Sequence, residues 1–157
     1  DAAIIALPFD APGIECVHLY DEPFVVIVPT KHIWADKKSL STQDVGMERV
    51  MLLDNVHCYS KQIVEACPGL KDNRDLQLGN SLETIRNMVA SNLGISVLPK
   101  SATSTKYDNP LVKTIPFNDP KPYRKVALAY RKSTVKKKAI DHIVESIKKV
   151  DLKAFVA

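Results

Sequence analysis

The chain has 157 residues, 45% of them hydrophobic and 25% charged, with a formal net charge of +4. That is the size and balance of one soluble domain that can bury a core without staples, and no apolar run approaches the roughly 20 residues of a membrane span. Three cysteines, Cys16, Cys58 and Cys67, are an odd number in a chain this long, which excludes a secreted disulfide framework and suits a reducing compartment.

The start, Asp1-Ala2-Ala3-Ile4-Ile5, carries no basic n-region, so no signal peptide is expected and the expected compartment is the cytoplasm. Most of the positive excess lies in the last third, including Lys136-Lys137-Lys138, which reads as a solvated helix face. The charge tolerates an anionic partner without demanding one.

In chain order, residues 2–7 read as a short buried strand and residues 14–20 as a second strand with loose alternation. Residues 24–28 form a continuous β-branched run that Pro29 ends. Ser41-Thr42-Gln43-Asp44 has the form of a capping box opening one short helical turn that closes near Gly46. Residues 49–53 read as a buried strand, and a helix over about 59–66 follows, stopped by Pro68-Gly69. Residues 76–78 suggest a strand edge. A clear helix comes next, capped by Asn80 or Ser81, with Leu82, Ile85, Val89 and Leu93 at helical spacing and Gly94 as its stop. Residues 95–98, 111–115 and 126–130 read as strands, separated by a turn-rich stretch and a proline-rich crossing segment at 118–122. Ile140, Ile143, Val144, Ile147 and Val150 stripe a long last helix. Strands alternating with helices predict an α/β fold with a largely parallel sheet.

Cys58 follows a buried strand and stands at the expected start of a helix, where unpaired N–H groups and the helix dipole favour a thiolate. His57 is beside it and can add a positive charge or a hydrogen bond. Cys67 is nine positions further on. A helix of that length rises roughly 13 Å, whereas a disulfide needs Cα atoms roughly 4.4–6.8 Å apart. Either the two thiols never join, or joining unravels the segment between them. No Cys/His spacing makes a zinc site, and no metal or other cofactor is expected. Cys16 reads as a small buried hydrophobe, Trp34 as packing at an edge, and Phe9, Phe24 and Phe117 as core.

The run from Asn80 to Ala90, followed by Gly94-Ile95-Ser96-Val97-Leu98-Pro99, resembles the effector domain of LysR-type transcriptional regulators. So do Asp21-Glu22-Pro23 before a strand and the segment with His32, Trp34 and Ala35 after it. Leu53-Asp54, then His57-Cys58 with a second cysteine nine residues on, is similar to the peroxide-sensing members of that family, as is Arg124 shortly after Pro122. The resemblance spans nearly the whole chain. It implies a periplasmic-binding-protein-like α/β fold of two subdomains joined by crossing strands. The first would hold about 1–23 with 125–157 and be incomplete at its N-terminus. The second would hold about 24–124.

The resemblance also implies roles. Cys58 would be the peroxidatic cysteine, oxidised by hydrogen peroxide to a sulfenic acid. Cys67 would be the resolving cysteine that converts it to a reversible disulfide. His57 and Arg124 would belong to the pocket, and a cellular dithiol reductant would reset the switch. The protein would be a homodimer or homotetramer and not an enzyme, and it would have no membrane partner. Promoter DNA would be engaged only through a helix-turn-helix domain absent from this chain, upstream of Asp1 with the linker helix, the first strands and the pocket threonines. Two positions depart from the pattern: Val56 stands where a glycine is usual, and Lys61 where an aspartate is common. Ser81 and Thr84 stand where many LysR relatives hold an anionic effector. A domain that binds a small anionic metabolite, with inert cysteines, is therefore the alternative.

Overall fold

The computed structural model describes residues 1–54, 58–71, 73 and 75–156. In chain order the elements are β1 (Ala2–Ala6), β2 (Ile14–Pro29), α1 (Thr42–Val45), β3 (Val50–Leu53), α2 (Cys58–Ala66), β4 (Leu76–Gly79), α3 (Leu82–Ala90), β5 (Ile95–Pro99), β6 (Val112–Pro116), β7 (Tyr123–Arg131) and α4 (Lys137–Lys149). Short 3-10 turns cover Pro68–Leu70, Lys100–Thr103 and Thr105–Tyr107. The chain divides into two compact units, residues 1–23 with 123–157, and residues 24–122. Tyr123 and Arg124 therefore group with the first unit and not with the end of the second.

In the first unit β7 pairs antiparallel with β1 on one side and with the first part of β2 on the other. Leu19, Val126, Leu128 and Tyr130 pack against Ile140 and Val144 of α4. Residues 14–20 and 24–28 are parts of one 16-residue strand, not two separate strands. Its register against β7 shifts between His18 and Tyr20. Before the shift Glu15 and Val17 face Tyr130 and Leu128; after it Tyr20 and Glu22 face Val126 and Arg124. Alternate residues of β7 share one side of the sheet. The α4 side of β2 is thus odd-numbered before the shift and even-numbered after it, the effect of one extra residue in a bulge.

Several expectations for this unit are corrected. β1 is an exposed edge strand and not a buried one, because β7 covers only one of its sides, and Ile4 is 60% exposed. Phe9 is also exposed rather than core, since it lies in the loop past that edge. The buried stripe of α4 narrows to Ile140 and Val144, with Ile143 and Val150 in solvent. The lysine run is partly engaged: Lys136 Nζ pairs with Asp1 at 2.6 Å, and Lys137 Nζ donates to the Tyr130 hydroxyl.

In the second unit the strand order is β6-β2-β5-β3-β4. β5 and β6 run antiparallel to β2, and only β3 runs parallel to its neighbours β4 and β5. The expected largely parallel sheet is therefore mixed here and antiparallel in the first unit. Parallel pairing needs a long crossover, and α2 between β3 and β4 and α3 between β4 and β5 supply the two that this unit has. Phe24, Val26, Leu52, Ile85, Leu98 and Phe117 lie in the core, and Trp34 joins them instead of sitting at an edge.

The capping box of α1 forms as read: the Asp44 N–H donates to Ser41 Oγ and the Ser41 N–H donates to Asp44 Oδ2. Ser81 caps α3. Its stop lies at Asn92 and not at Gly94: Asn92 has φ +60°, and the N–H groups of Asn92 and Leu93 donate to the carbonyls of Val89 and Met88. Gly94 serves a different need, because a methyl group there would lie 2.5 Å from the Arg49 carbonyl oxygen. Among the described residues no helix is long and apolar enough to cross a membrane.

Candidate functional site

The buried strand β3 delivers the chain to α2, whose first residue is Cys58. Asn55, Val56 and His57, and the Cys58 side chain, lie outside the described residues. The first turn of α2 is fixed from both directions. Ser60 Oγ donates to the Leu53 carbonyl at 2.5 Å, and the Tyr59 hydroxyl donates to the Val97 carbonyl at 2.7 Å. The Tyr59 ring also meets Phe24 edge-on at 6.2 Å. These contacts tie the start of the helix to β3, β5 and β2, so the backbone that presents residue 58 stands on a rigid support.

Cys67 is at the other end of α2. Its N–H donates to the Ile63 carbonyl at 2.8 Å, and its side chain is a free thiol with no exposed surface, in the same core as Ile63 and Leu70. Burial pushes the thiol up from 9.0 to about 12, because the charged form would lose its hydration. At neutral pH Cys67 is thus held protonated and out of contact with water. The intact helix keeps the two cysteine backbones a helix length apart. Cys16 is a free thiol in β2, half-buried rather than buried.

Two side chains on α2 bear on the start of the helix. Lys61 lies one turn after Cys58 and is exposed. Residues three apart on a helix are neighbours, so this position puts positive charge on the Cys58 side of the first turn. Gln62 is only 9% exposed, and its Oε1 has no hydrogen-bond partner among the described residues. A buried acceptor left unpaired is costly, and four residues after Cys58 it lies on that cysteine's face of the helix. Gln62 is not legible in the sequence, because a glutamine inside a short helix carries no signal until its burial is known.

The remaining candidates are placed as follows. Ser81 Oγ accepts the Thr84 N–H at 3.1 Å, the two hydroxyls are 3.0 Å apart, and Thr84 Oγ1 donates to Asn80 Oδ1 at 3.0 Å. The hydroxyl pair is thereby engaged in capping α3. Arg124 lies in the first unit, opposite Glu22 in the β2–β7 ladder. Its Nε and Nη2 contact Glu22 Oε2 at 2.8 and 2.7 Å, with Glu22 only 2% exposed. Glu22 also raises the pKa of Tyr20, second to the effect of burial. Glu22 was missed as the arginine's partner because the bulge, which decides what faces Arg124, is invisible in the residue pattern. Among the described residues no group of three or more His, Cys, Asp or Glu side chains could hold a metal ion.

Comparison with known proteins places this geometry in a family. Residues 1–151 match the LysR substrate binding domain. The chain is 31% identical over 149 residues to the hydrogen peroxide-inducible genes activator of Haemophilus influenzae, covering 94% of this chain and 49% of that protein. It is 34% identical over 155 residues to the HTH-type transcriptional regulator EstR of Acinetobacter baylyi, covering 96% of this chain and 50% of that protein. The chain thus spans about half the length of the curated relatives it matches. A reduced form of OxyR from N. meningitidis has 40% identity and a TM-score of 0.87, covering all of this chain and 74% of that one. By sequence match and by fold, then, this chain belongs to the LysR substrate-binding domain family.

Proposed function

We propose that this domain senses hydrogen peroxide through Cys58 and Cys67 and switches transcription by forming a reversible disulfide between them. One observation carries the reading: the thiol nine positions after Cys58 is sealed in the core at the far end of α2, in a chain 40% identical to a reduced OxyR. The helix start favours a Cys58 thiolate. That thiolate attacks one peroxide oxygen, the O–O bond breaks, and hydroxide leaves to be protonated to water. The product is the Cys58 sulfenic acid. The Cys67 thiol then attacks the Cys58 sulfur, an S–S bond forms, the S–O bond breaks, and the hydroxyl leaves as water with the thiol's proton.

Joining the sulfurs requires α2 to give up its shape, and that change is the signal. The imidazole of His57 favours a thiolate, and this reading assigns it to the support of Cys58, while Arg124 serves the first unit through its ion pair with Glu22. Gln62 offers a peroxide O–H an acceptor that has no partner among the described residues. A dithiol reductant resets the switch. The domain works in the cytoplasm as part of a homodimeric or homotetrameric regulator and reaches promoter DNA through a separate helix-turn-helix domain. It is a sensor and not an enzyme, since one oxidation event suffices for the signal.

The reading is tested by treating the reduced protein with stoichiometric hydrogen peroxide and mapping its peptides. A Cys58–Cys67 disulfide that dithiothreitol reverses is expected; its absence rejects the reading. One other reading is a small anionic metabolite bound near Ser81 and Thr84, the two hydroxyls at the start of α3. A carboxylate that raises the melting temperature equally in the protein and in Cys58→Ser, with no disulfide after peroxide, would select it.

A further inference from the structure

A resolving thiol must stay in the core until its partner is oxidised, and the segment that follows Cys67 holds it there. Immediately after Cys67 the chain makes the 3-10 turn Pro68–Leu70, tied back by the Leu70 N–H to the Cys67 carbonyl at 2.9 Å. That turn presses on the loop after α1. Gly46 and Gly69 meet backbone to backbone: a methyl on Gly46 would lie 2.8 Å from Gly69 Cα and overlap its carbonyl, and one on Gly69 would lie 3.0 Å from the Thr42 carbonyl oxygen. Asn73 closes the contact, its Nδ2 donating to the Gly46 carbonyl at 3.1 Å and to the Glu48 carbonyl at 2.8 Å. Its Oδ1 accepts the Asp75 N–H at 2.7 Å. Leu70, within the turn, is fully buried.

We infer that Asn73 and the Gly46–Gly69 contact form a latch that holds Cys67 away from Cys58 and sets the rate of disulfide formation. This rests on the peroxide-sensing reading. Cys67 cannot be withdrawn from the core while the turn bonded to its own carbonyl stays seated on the α1 loop. Opening the latch frees the turn, hydrates the thiol and lets it reach the Cys58 sulfenic acid. Asn73 is a positioning residue: it touches neither peroxide nor the reacting sulfurs.

The test separates the two chemical steps in the whole chain. Sulfenic acid formation is followed as a dimedone adduct of Cys58 in the Cys67→Ser background. Disulfide formation is followed by acid quench and peptide mapping. Access to Cys67 is followed by iodoacetamide labelling in the Cys58→Ser background, without peroxide.

Loss of the two Nδ2 hydrogen bonds that cross to the Gly46 and Glu48 carbonyls corresponds to roughly tenfold in a local opening equilibrium. Asn73→Ala is therefore expected to raise both Cys67 labelling and disulfide formation about tenfold and to leave the sulfenic step unchanged. Gly46→Ala, which has an ordinary helical φ of −66° and so meets only the Gly69 clash, is expected to act in the same direction. Ile140→Val in α4, compared at an equal loss of melting temperature, should change neither rate.

Asn73→Ala behaving like Ile140→Val, or a disulfide rate unchanged while the sulfenic acid forms normally, overturns the latch. If Cys58 gives no sulfenic acid in any variant, the peroxide reading falls instead. The labelling of Cys67 then still decides whether the latch exists.

Discussion

Burial of Cys67 makes a prediction about alkaline stability. Its thiol is raised from 9.0 in the ordinary case to about 12 in the fold. Above about pH 9 the unfolded chain gives up this proton while the folded chain keeps it, so the unfolded state binds fewer protons and stability falls as pH rises. The contribution is complete below about 9, declines through the window and is fully lost above about 12. At about 1.36 kcal/mol per pKa unit the three units correspond to at most about 4 kcal/mol. The loss between about pH 7 and pH 10 is about 1.4 kcal/mol. Urea unfolding of the reduced protein and of Cys67→Ala at those two pH values measures it. All other groups are common to the two proteins and cancel in the comparison. Alanine costs about 1 kcal/mol of packing at either pH, so the quantity of interest is the difference between the two losses. The wild type should lose about 1.4 kcal/mol more than the variant. Equal losses would mean that Cys67 titrates as an exposed thiol does, and the account of it as the sequestered partner would be wrong.

Other consequences of the site are open to measurement. Lys61→Glu reverses the charge one turn from Cys58 and should slow sulfenic acid formation about threefold to tenfold while moving its pH profile upward; an unchanged profile would remove Lys61 from the site. Gln62→Met keeps the bulk and removes an acceptor that has no partner among the described residues. If that acceptor serves peroxide, the rate at Cys58 falls while stability holds or rises. Greater stability with an unaltered rate would leave Gln62 as a burial cost alone. Ser81→Ala removes the α3 cap and should lower urea stability by about 1 kcal/mol with no effect on peroxide oxidation. A slowed oxidation would tie that helix end to the thiol chemistry.

The residues that were legible in the sequence are those whose signals are local. Ser41 and Asp44 are three apart and bond each other, so the capping box can be read directly. The strand into Cys58 and the helix out of it follow from a short apolar run and a Pro-Gly stop. Strand pairing is not local. The first stretch of β2, residues 14–20, alternates only loosely because the facing side passes from odd to even positions at the bulge within it, and a period-two reading loses phase there. The same parity decides that Arg124 meets Glu22. The stop of α3 was placed at Gly94 because glycine favours positive φ, yet Asn92 takes that role and Gly94 answers to the nearby Arg49 carbonyl. Burial of Gln62 and the Gly46–Gly69 approach depend on segments far apart in sequence, and no residue pattern announces them.

The bulge in β2 also fixes where this strand can change length. Two of its residues there stand against one on β7, so removing Leu19 would leave Tyr20, Asp21, Glu22 and Pro23 opposite Val126, Lys125, Arg124 and Tyr123 in a regular ladder. The same deletion between Val25 and Ile27 meets no spare residue. It would put the downstream residues out of step with β6 and β5 together, since Val25, Val26 and Ile27 pair with both. Single-residue gaps among relatives of this chain should therefore collect near position 19 and be missing from 25–27.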